Sequence, residues 1–315
     1  MSQPTTKSYP KVRQVNVSED EAGQRIDNFL ARHLKGVPKS HIYRIVRRGE
    51  VRVNSGRIRA QYKVRAGDTV RIPPVRVSTP KPGRVPGLNL EQHILFENPR
   101  LLVINKPPGI AVHGGSGLSY GSIEALRAER ATAPYLELAH RLDRETSGCL
   151  VIARRRSFLR AFHEQLQHGQ VKKHYLALVA GQWQGGRRTV DVALRKNQLR
   201  GGERMVSVDE DGKRAISVFT PVSVYEGASL VEVELKTGRT HQIRVHGKHI
   251  GHPLAGDEKY GDDEFNRRMR AIGLRRMLLH AHMIEFVDPY DDQVITVSSP
   301  LDDNARAVLE RLETS

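Results

Sequence analysis

The spacing of hydrophobic residues changes along the chain and predicts where helices and strands form. Near the N-terminus, apolar residues recur three and four positions apart in two segments, as in amphipathic helices: Ile26, Phe29, Leu30 and Leu34, then Ile42, Ile45 and Val46. Gly49 is suited to end the second helix. Segments 51–54 and 68–72 alternate between apolar and polar residues, so they are predicted to be short strands.

From residue 93 onward, strand-like segments outnumber helical ones. Helices are expected at 122–130, 157–168 and 305–312, and strands at 94–96, 101–104, 174–179, 189–194, 215–219, 230–235, 283–287 and 294–297. These segments lack the regular βαβ alternation that is typical of parallel sheets. We therefore predict an α+β fold, in which the larger domain is a mixed, largely antiparallel sheet with flanking helices and loops.

Proline and glycine mark the boundary between two domains. They are concentrated just after residue 79, in a stretch with almost no hydrophobic periodicity. The first 22 residues are polar and equally irregular. We predict a flexible leader at 1–22, a small domain at 23–79, a linker at 80–92 and a larger domain at 93–315.

Positive charge is concentrated in the small domain. The chain has a formal net charge of +16, and residues 23–74 contain thirteen Lys and Arg against three Asp and Glu, a net of +10. Basic helix faces are often only solvated, but this concentration favours a surface that binds nucleic acid. The candidate phosphate-contacting residues are Lys39, Arg44, Arg47, Arg48 and Arg52.

Composition also limits the class of protein. A single cysteine, Cys149, excludes an intramolecular disulfide framework and suits a reducing compartment. No apolar run is long enough to cross a membrane, and the first twenty residues lack the apolar region of a secretory signal. We expect a cytoplasmic protein without a membrane partner.

Three short segments of the small domain carry a recognisable pattern. They are Arg-Ile-Asp-Asn-Phe-Leu at 25–30, the basic helix and following strand at 39–54, and Ala-Gly-Asp-Thr-Val at 66–70. In these segments the domain resembles the S4 RNA-binding domain. The resemblance implies that the domain binds RNA mainly through phosphates and helical shape.

Five polar clusters follow or precede predicted strands of the larger domain, at 105–115, 140–148, 172–179, 236–246 and 252–261. Loops at strand ends can converge on one pocket. Cluster 140–148 contains one carboxylate, Asp143, between Arg141 and Arg144, and from these residues alone it could equally be a salt-bridged surface turn. In cluster 236–246, Thr240 is predicted to cap a helix that carries Gln242 and Arg244.

Together the five clusters resemble those of the pseudouridine synthases that modify structured RNA. The central motif is His-Arg-Leu-Asp-Arg-Glu-Thr-Ser-Gly at 140–148, with Glu145 at the position that varies in the family. The resemblance implies isomerisation of uridines in large-subunit ribosomal RNA by a monomeric enzyme that needs an aspartate and neither cofactor nor metal. The target uridine would have to be flipped out of the folded RNA.

The resemblance also implies roles for individual residues. Asp143 would act on the target nucleotide, Arg244 would pair with Asp143, and Tyr175 would stack near the base and help to remove the C5 proton. By their patterns alone, Tyr175 would suit a core aromatic and Arg244 a solvent-facing helix residue. The remaining substrate-binding candidates are His140, Arg141, Arg144, Thr146, Arg239, Thr240, His241 and Gln242.

Two other functions compete with this one. A catalytically inactive RNA-binding or ribosome-assembly factor would use the same S4 domain without needing Asp143. A metal-dependent nuclease would rest on the dense histidines, especially His246, His249 and His252. Because His252 precedes a proline and no cysteine pair supports a zinc site, we predict that these histidines hold no metal. The glycines at 114–117 lack the pattern of a nucleotide-binding loop.

Overall fold

A computed structural model describes residues 12–34, 37, 39–75, 88–114, 120–198 and 204–314. The chain forms two compact units, residues 1–84 and 85–315. Among the described residues, no helix combines the length and the hydropathy that a membrane span requires.

The first unit packs two helices against a small antiparallel sheet. Its helices are α1 (Ile26–His33) and α2 (Lys39–Arg47), and its strands are β1 (Arg13–Asn16), β2 (Arg52–Val53), β3 (Gly56–Arg57) and β4 (Thr69–Ile72). The strand order is β1–β4–β2–β3. The apolar residues predicted for the two helices form the core, where Phe29 and Leu30 are fully buried. Gly49 follows α2 with a positive φ of 71°.

The sequence predicted a flexible leader up to residue 22, and the structure corrects this for its second half. Residues Arg13–Asn16 pair with β4, and Glu19–Glu21 form a turn of 3₁₀-helix. The strand was missed because three of its four side chains are exposed on the sheet, so it has no hydrophobic periodicity. Residues 1–11 lie outside the described part of the chain.

The second unit is built on one large sheet. Its strands are β5 (Ile94–Glu97), β6 (Leu101–Lys106), β7 (Glu137–Leu138), β8 (Ser147–Ala153), β9 (Lys172–Ala180), β10 (Arg188–Gln198), β11 (Arg204–Val208), β12 (Lys213–Tyr225), β13 (Ala228–Leu235), β14 (Leu279–Val287) and β15 (Val294–Ser298). Its helices are α3 (Ser122–Glu129), α4 (Arg156–Gln167), α5 (Gln242–His249), α6 (Asp263–Ala271) and α7 (Asp303–Glu313).

The order of the strands confirms the predicted mixed, largely antiparallel sheet. The main path is β11–β10–β12–β13–β9–β14–β8–β6–β5, with β15 paired to β14 and β7 paired to β8. Among the described strands, the pairing of β8 with β14 is parallel and the others are antiparallel. The parallel pair places the start of β8, four residues after Asp143, inside the sheet between β14 and β6.

Helices cover both faces of the sheet. One apolar cluster joins α3 and α5 to side chains such as Tyr175 and Val233. Another joins α6 and α7 to side chains such as Leu178 and Leu230, which point the other way from the same strands. Tyr175 therefore lies on the face that α3 and α5 cover.

The predicted linker at 80–92 also needs correction at its end. Residues 76–87 lie outside the described part of the chain. Leu90–His93 form a short 3₁₀-helix, Leu90 is fully buried, and its backbone N–H donates to the Glu129 carboxylate of α3 at 3.1 Å. Residues 90–92 therefore belong to the second unit, and a tertiary contact, not local sequence, gives them their structure.

Candidate active site

Asp143 lies in the loop that connects β7 with β8. Its carbonyl accepts a hydrogen bond from the Thr146 backbone N–H at 3.2 Å, which closes a tight turn directly before Ser147, the first residue of β8. Thr146 is buried, whereas the Asp143 side chain is 22% exposed. The turn therefore holds the carboxylate at the end of a buried strand while leaving it accessible to a substrate.

Lys106, at the end of β6, supports this loop from beneath. The side chain is fully buried, and its Nζ donates to the carbonyls of Pro107 at 2.7 Å, Ile110 at 2.9 Å and Arg144 at 3.1 Å. Burial lowers the pKa of Lys106 to about 7. Lys106 belongs to the polar cluster 105–115, but its role could not be predicted, because its acceptors are backbone atoms that a sequence does not reveal.

A cavity of about 740 Å³ opens above Asp143. Two other catalytic candidates, Tyr175 and Arg244, line it. Ten of the eleven predicted catalytic and substrate-binding residues border this cavity: His140, Arg141, Asp143, Thr146, Tyr175, Arg239, Thr240, His241, Gln242 and Arg244. The clusters around 140, 172 and 236 therefore converge, as their positions at strand ends suggested.

Arg244 is held by Asp257 more closely than by Asp143. Its Nε and Nη2 donate to the two Asp257 carboxylate oxygens at 2.6 and 2.7 Å, while Nη1 lies 4.0 Å from Asp143 Oδ2. Tyr260 adds a cation–π contact, with the guanidinium carbon 4.9 Å from its ring centre. Asp257 is buried, so this pair fixes the guanidinium and leaves one nitrogen directed towards Asp143.

Asp257 and Tyr260 were missed as site residues. Both lie in the polar cluster 252–261, which was among the five clusters expected to converge, but none of its residues was named as a site residue. The asparagine at 266 reinforces the loop, because its side chain donates to the Asp257 carbonyl at 3.0 Å and accepts from Gly256 N–H at 2.7 Å. In the sequence, the aspartate next to Gly256 was the one feature that could have indicated a site residue in this cluster.

The residue that precedes α5 is His241, and the predicted Thr240 cap was wrong. His241 occupies the N-cap position in the left-handed conformation, with φ of 54°, and its side chain makes no capping hydrogen bond. Its Nδ1 is hydrogen-bonded to the Tyr260 hydroxyl at 2.9 Å, and its Nε2 lies 3.9 Å from Asp143 Oδ2. His241 and Arg244 therefore approach the same carboxylate oxygen.

Gln242 supports the cavity wall by hydrogen bonds within the protein. Its amide oxygen accepts from Thr237 Oγ1 at 2.8 Å and from Arg239 N–H at 2.9 Å, and its amide nitrogen donates to Ile216 and Ser217 on β12, each at 2.9 Å. A primary amide has two donors and two acceptor sites, so none is left for a substrate. The predicted substrate contact of Gln242 is therefore replaced by a structural role.

The three predicted residues nearest Asp143 in sequence have different environments. His140 Nε2 accepts a hydrogen bond from Val151 N–H at 3.0 Å, and burial lowers the pKa of His140 to about 3, so the ring is neutral. Arg141 is exposed and borders the cavity. Arg144 donates to the Gly109 carbonyl at 2.9 Å and, unlike the other candidates, does not border the cavity.

Tyr175 is buried on β9 and borders the cavity. Burial, together with the Asp143 charge, raises the pKa of Tyr175 above its usual value. A phenol with a raised pKa stays protonated at neutral pH, whereas a base for the C5 proton would need a lowered one. The structure therefore suits Tyr175 to packing against a bound base, and opposes the proton-abstracting role that the resemblance implied.

Exposed arginines on the first unit form a candidate RNA-binding surface. Arg44, Arg47 and Arg48 are exposed on α2 or just after it, whereas the side chain of Lys39 lies outside the described part of the chain. A separate polar cleft of about 710 Å³ is bordered by the RNA-binding candidate Arg52 and by Gln14, Gly49, Asn54, Ser55, Thr69 and Arg71. Arg71 escaped notice because its strand partners are distant in sequence.

The histidines behind the nuclease hypothesis have unrelated surroundings in the described structure. His246 is fully buried, His249 is exposed, and His252 Nδ1 is hydrogen-bonded to the Ala180 carbonyl at 2.7 Å. They do not present three ligand atoms to one point.

Comparison with known proteins assigns the chain to a family. Residues 100–249 match the model of the RNA pseudouridylate synthase family, and residues 24–70 match that of the S4 domain. A protein of Haemophilus influenzae called ribosomal large subunit pseudouridine synthase C is 53% identical, over 96% of each chain. A protein of the same name from Pasteurella multocida is 54% identical over 96% of this chain and 94% of its own. The one from Escherichia coli K12 is 51% identical over 97% of this chain and 98% of its own. The chain belongs to the pseudouridine synthase family.

Solved structures of pseudouridine synthases share the fold. Human RNA pseudouridylate synthase domain containing 4 aligns over 72% of this chain and 95% of its own with a TM-score of 0.60 and 25% identity. Human RNA pseudouridylate synthase domain containing 1 aligns over 70% of this chain and 94% of its own, with a TM-score of 0.56 and 25% identity. The family predicted from the polar clusters and the α+β fold predicted from the hydrophobic pattern are thus confirmed.

Proposed function

We propose that this pseudouridine synthase isomerises uridines to pseudouridine in large-subunit ribosomal RNA, with Asp143 as its essential residue. The observation that carries the proposal is the position of Asp143: it is exposed to the cavity, held by a loop anchored on Lys106, and approached by Arg244 and His241. The names of the relatives at 51–54% identity support the choice of RNA.

The reaction requires few groups, and the cavity contains suitable ones. The N1–C1′ bond of uridine must break, the uracil must turn, and C5 must be joined to C1′, without a change in oxidation state. A carboxylate that acts on the nucleotide is needed, and Asp143 fills that role. Arg244 supplies positive charge beside it, and His241 places a ring nitrogen 3.9 Å from the same carboxylate oxygen. Tyr175 offers a flat surface against which the uracil can turn.

The size of the cavity fits a single nucleotide removed from its stack. Its volume of about 740 Å³ lies within the roughly 300–1,000 Å³ that is usual for small-ligand sites. Exposed Arg141 at the rim can contact the phosphate backbone next to the flipped uridine. The S4 unit adds a second basic surface for the surrounding RNA. We further propose that the protein acts as a monomer in the cytoplasm, and that the reaction at Asp143 needs neither a cofactor nor a metal.

The test is release of tritium from C5 of uridine. The full chain is incubated with unmodified large-subunit rRNA that carries tritium at C5, and release of label is followed with time. We expect steady release, and a loss of at least about a thousandfold in Asp143→Asn, because an amide cannot replace a carboxylate that reacts or moves a proton. Glu145→Gln is the matched control, since this nearby carboxylate is 47% exposed and pairs with Arg144.

Two outcomes would contradict the proposal. Equal release in the Asp143→Asn variant would remove Asp143 from the reaction. No release from any rRNA or fragment, with RNA binding intact, would favour the inactive assembly factor. A nuclease is tested in the same samples, because it would shorten the RNA and would stop when a chelator is added.

A further inference from the structure

Three side chains of metal-binding type meet on the sheet of the second unit. They are His174 on β9, Glu232 on β13 and His282 on β14. Among the described residues, these form the one group of three or more His, Cys, Asp or Glu that could hold a single ion. The strands lie side by side with β9 in the middle, so segments far apart in sequence contribute one ligand each.

This group is separate from the Asp143 cavity. Tyr175 borders that cavity, and successive residues of a strand point to opposite faces, so His174 points to the other face. None of the three residues borders the cavity. A ligand held here would contact the sheet from the side opposite the uridine.

The distances suit a small transition-metal ion. His174 Nδ1 lies 3.1 Å from Glu232 Oε2, His282 Nε2 lies 2.9 Å from Glu232 Oε1, and all the ligand atoms lie within 4.8 Å of one another. Tetrahedral Zn²⁺ with bonds of about 2.0–2.1 Å places its ligand atoms roughly 3.3 Å apart. Each imidazole nitrogen already lies at about that distance from one of the two Glu232 oxygens, and small side-chain movements from spacings of at most 4.8 Å would bring one atom of each residue to the ion.

Burial and charge also suit a cation. The side chains of His174, His282 and Glu232 are 16%, 24% and 34% exposed, so they are shielded from bulk water but remain open to a water molecule as fourth ligand. The neighbouring carboxylates already have lysine partners, Glu285 with Lys172 and Glu234 with Lys236. In the described structure the ion pairs of Glu232 are with the two histidines. Two neutral imidazoles and one carboxylate carry a net charge of −1.

We propose that His174, Glu232 and His282 bind one divalent transition-metal ion, and that Zn²⁺ is the ion that fits best. Imidazole and carboxylate are common zinc ligands, whereas Ca²⁺ and Mg²⁺ prefer oxygen ligands throughout. Without the metal, the same atoms are joined by hydrogen bonds from the imidazoles to the carboxylate. On binding, each neutral imidazole takes the tautomer that carries its N–H on the other ring nitrogen, and the ion occupies the position between the freed nitrogens and the carboxylate. The ion then links β9, β13 and β14 across the middle of the sheet, so it acts on folding stability and not on the reaction.

The test is metal binding by the tag-free, full-length protein after treatment with a chelator. Zn²⁺ is titrated by calorimetry, and Co²⁺ by its visible absorption, which is intense when the ion has four ligands. We expect saturable binding and a four-coordinate Co²⁺ spectrum, with affinity reduced at least about tenfold in His282→Gln and in Glu232→Gln. Even loss of a group that only supports a ligand costs about that much.

His249→Gln is the matched control, because it also removes one histidine. His249 is exposed at the end of α5 and does not belong to the group of His174, Glu232 and His282. Its affinity for Zn²⁺ should equal that of the unaltered chain. Equal affinity in His282→Gln and Glu232→Gln would overturn the proposal, and so would loss of binding in His249→Gln. The Co²⁺ spectrum needs no variant, and a six-coordinate spectrum of the unaltered protein would also overturn it.

Discussion

At the scale of single residues, Arg244 shows how a site is prepared before substrate arrives. Two of its nitrogens are occupied by buried Asp257, and Nη1 extends to within 4.0 Å of Asp143. Two carboxylates therefore share one guanidinium, one as a fixed anchor and the other as the reactive group. Because the fork of an arginine has fixed geometry, anchoring one edge orients the other.

Asp257→Asn should therefore impair catalysis through Arg244. Asparagine is neutral and offers one acceptor oxygen in place of two, so the buried guanidinium loses the charge of its partner and one of the two hydrogen bonds. We expect the free energy of unfolding to fall by about 3 kcal/mol or more. Uridine turnover should fall through kcat while binding of rRNA stays nearly constant, and both quantities are measured below the melting temperature.

Asp257→Glu supplies the control for this prediction, because it keeps the charge and both oxygens. It should recover part of the lost kcat, which a purely steric role for Asp257 would not allow. An Asp257→Asn protein with unchanged kcat would show that the anchor does not position Arg244.

Residue types in the sequence indicated the site but not every role within it. Ten predicted residues border the cavity because strand ends converge. Gln242 nevertheless has a structural role that the sequence did not indicate, because its amide is saturated by hydrogen bonds within the protein. For Tyr175, burial raises the pKa of the phenol, which favours the predicted stacking over the predicted proton abstraction. Hydrogen-bond partners and burial depend on residues from other elements, so a local motif cannot specify them.

At the scale of secondary-structure elements, the junction of β8 with β14 places the reactive loop. Ser147 and Gly148 pair in parallel with His280 and Ala281. Gly148 has φ of 104°, and a Cβ there would lie 2.3 Å from the Ala281 carbonyl oxygen. The last glycine of the central motif is therefore required for close approach of two strands, which the sequence showed only as a small residue after a turn.

Gly148→Ala should destabilise the second unit strongly. The clash involves backbone, so β8 must move away from β14, at a cost of about 2–4 kcal/mol in unfolding free energy. Denaturant unfolding measures this cost. Gly169→Ala is the matched control, since Gly169 also has a positive φ, of 70°, but nothing lies within 4 Å of its added Cβ.

The free energy of unfolding of Gly169→Ala should fall by only about 1 kcal/mol, which is the cost of the left-handed backbone conformation alone. If Gly148→Ala lost no more free energy of unfolding than Gly169→Ala, the close approach of β8 to β14 would not be needed for the stability of the second unit. In that case the glycine in the motif would have to be explained by its contacts with RNA.

Element boundaries were predictable where each element carried its own hydrophobic face. Both helices of the first unit were found in this way. Strand β1 and the 3₁₀-helix at Leu90–His93 were not, because their stability comes from pairing with β4 and from the Glu129 carboxylate of α3. An element held mainly by partners distant in sequence leaves little trace in its own pattern.

At the scale of the whole molecule, the two compact units carry different tasks. The first unit contains the S4 match and residues 23–74, with net charge +10, while the second contains the Asp143 cavity. Each has its own apolar core. A separate core for each unit means that the second can be studied without the first.

A shortened chain that begins at Val85 should fold and bind rRNA more weakly, with less dependence on salt. For every phosphate that the protein no longer neutralises, the slope of log K against log salt falls by about 0.7–0.9. Binding is measured between low and high salt, and the slope is compared with that of the full chain. An unchanged slope would exclude the first unit from the RNA interface.

The same question can be asked without shortening the chain. Replacing Arg44, Arg47 and Arg48 together by glutamine removes three exposed charges from the first unit. The salt slope should decrease while the melting temperature stays nearly constant, because none of these side chains contributes to the core. A matched set of exposed arginines on α6, Arg267, Arg268 and Arg270, serves as the comparison.

The sequence by itself determined the family, the α+β fold and the place of Asp143 in a turn at a strand end. These depend on local patterns, namely ordered motifs, hydrophobic periodicity and turn residues. Only the tertiary structure decided which groups meet. The anchor of Arg244, the three carbonyls around Lys106 and the trio of His174, Glu232 and His282 all join segments from different strands and loops. Their meeting depends on strand order and register, which the packing of the whole sheet sets.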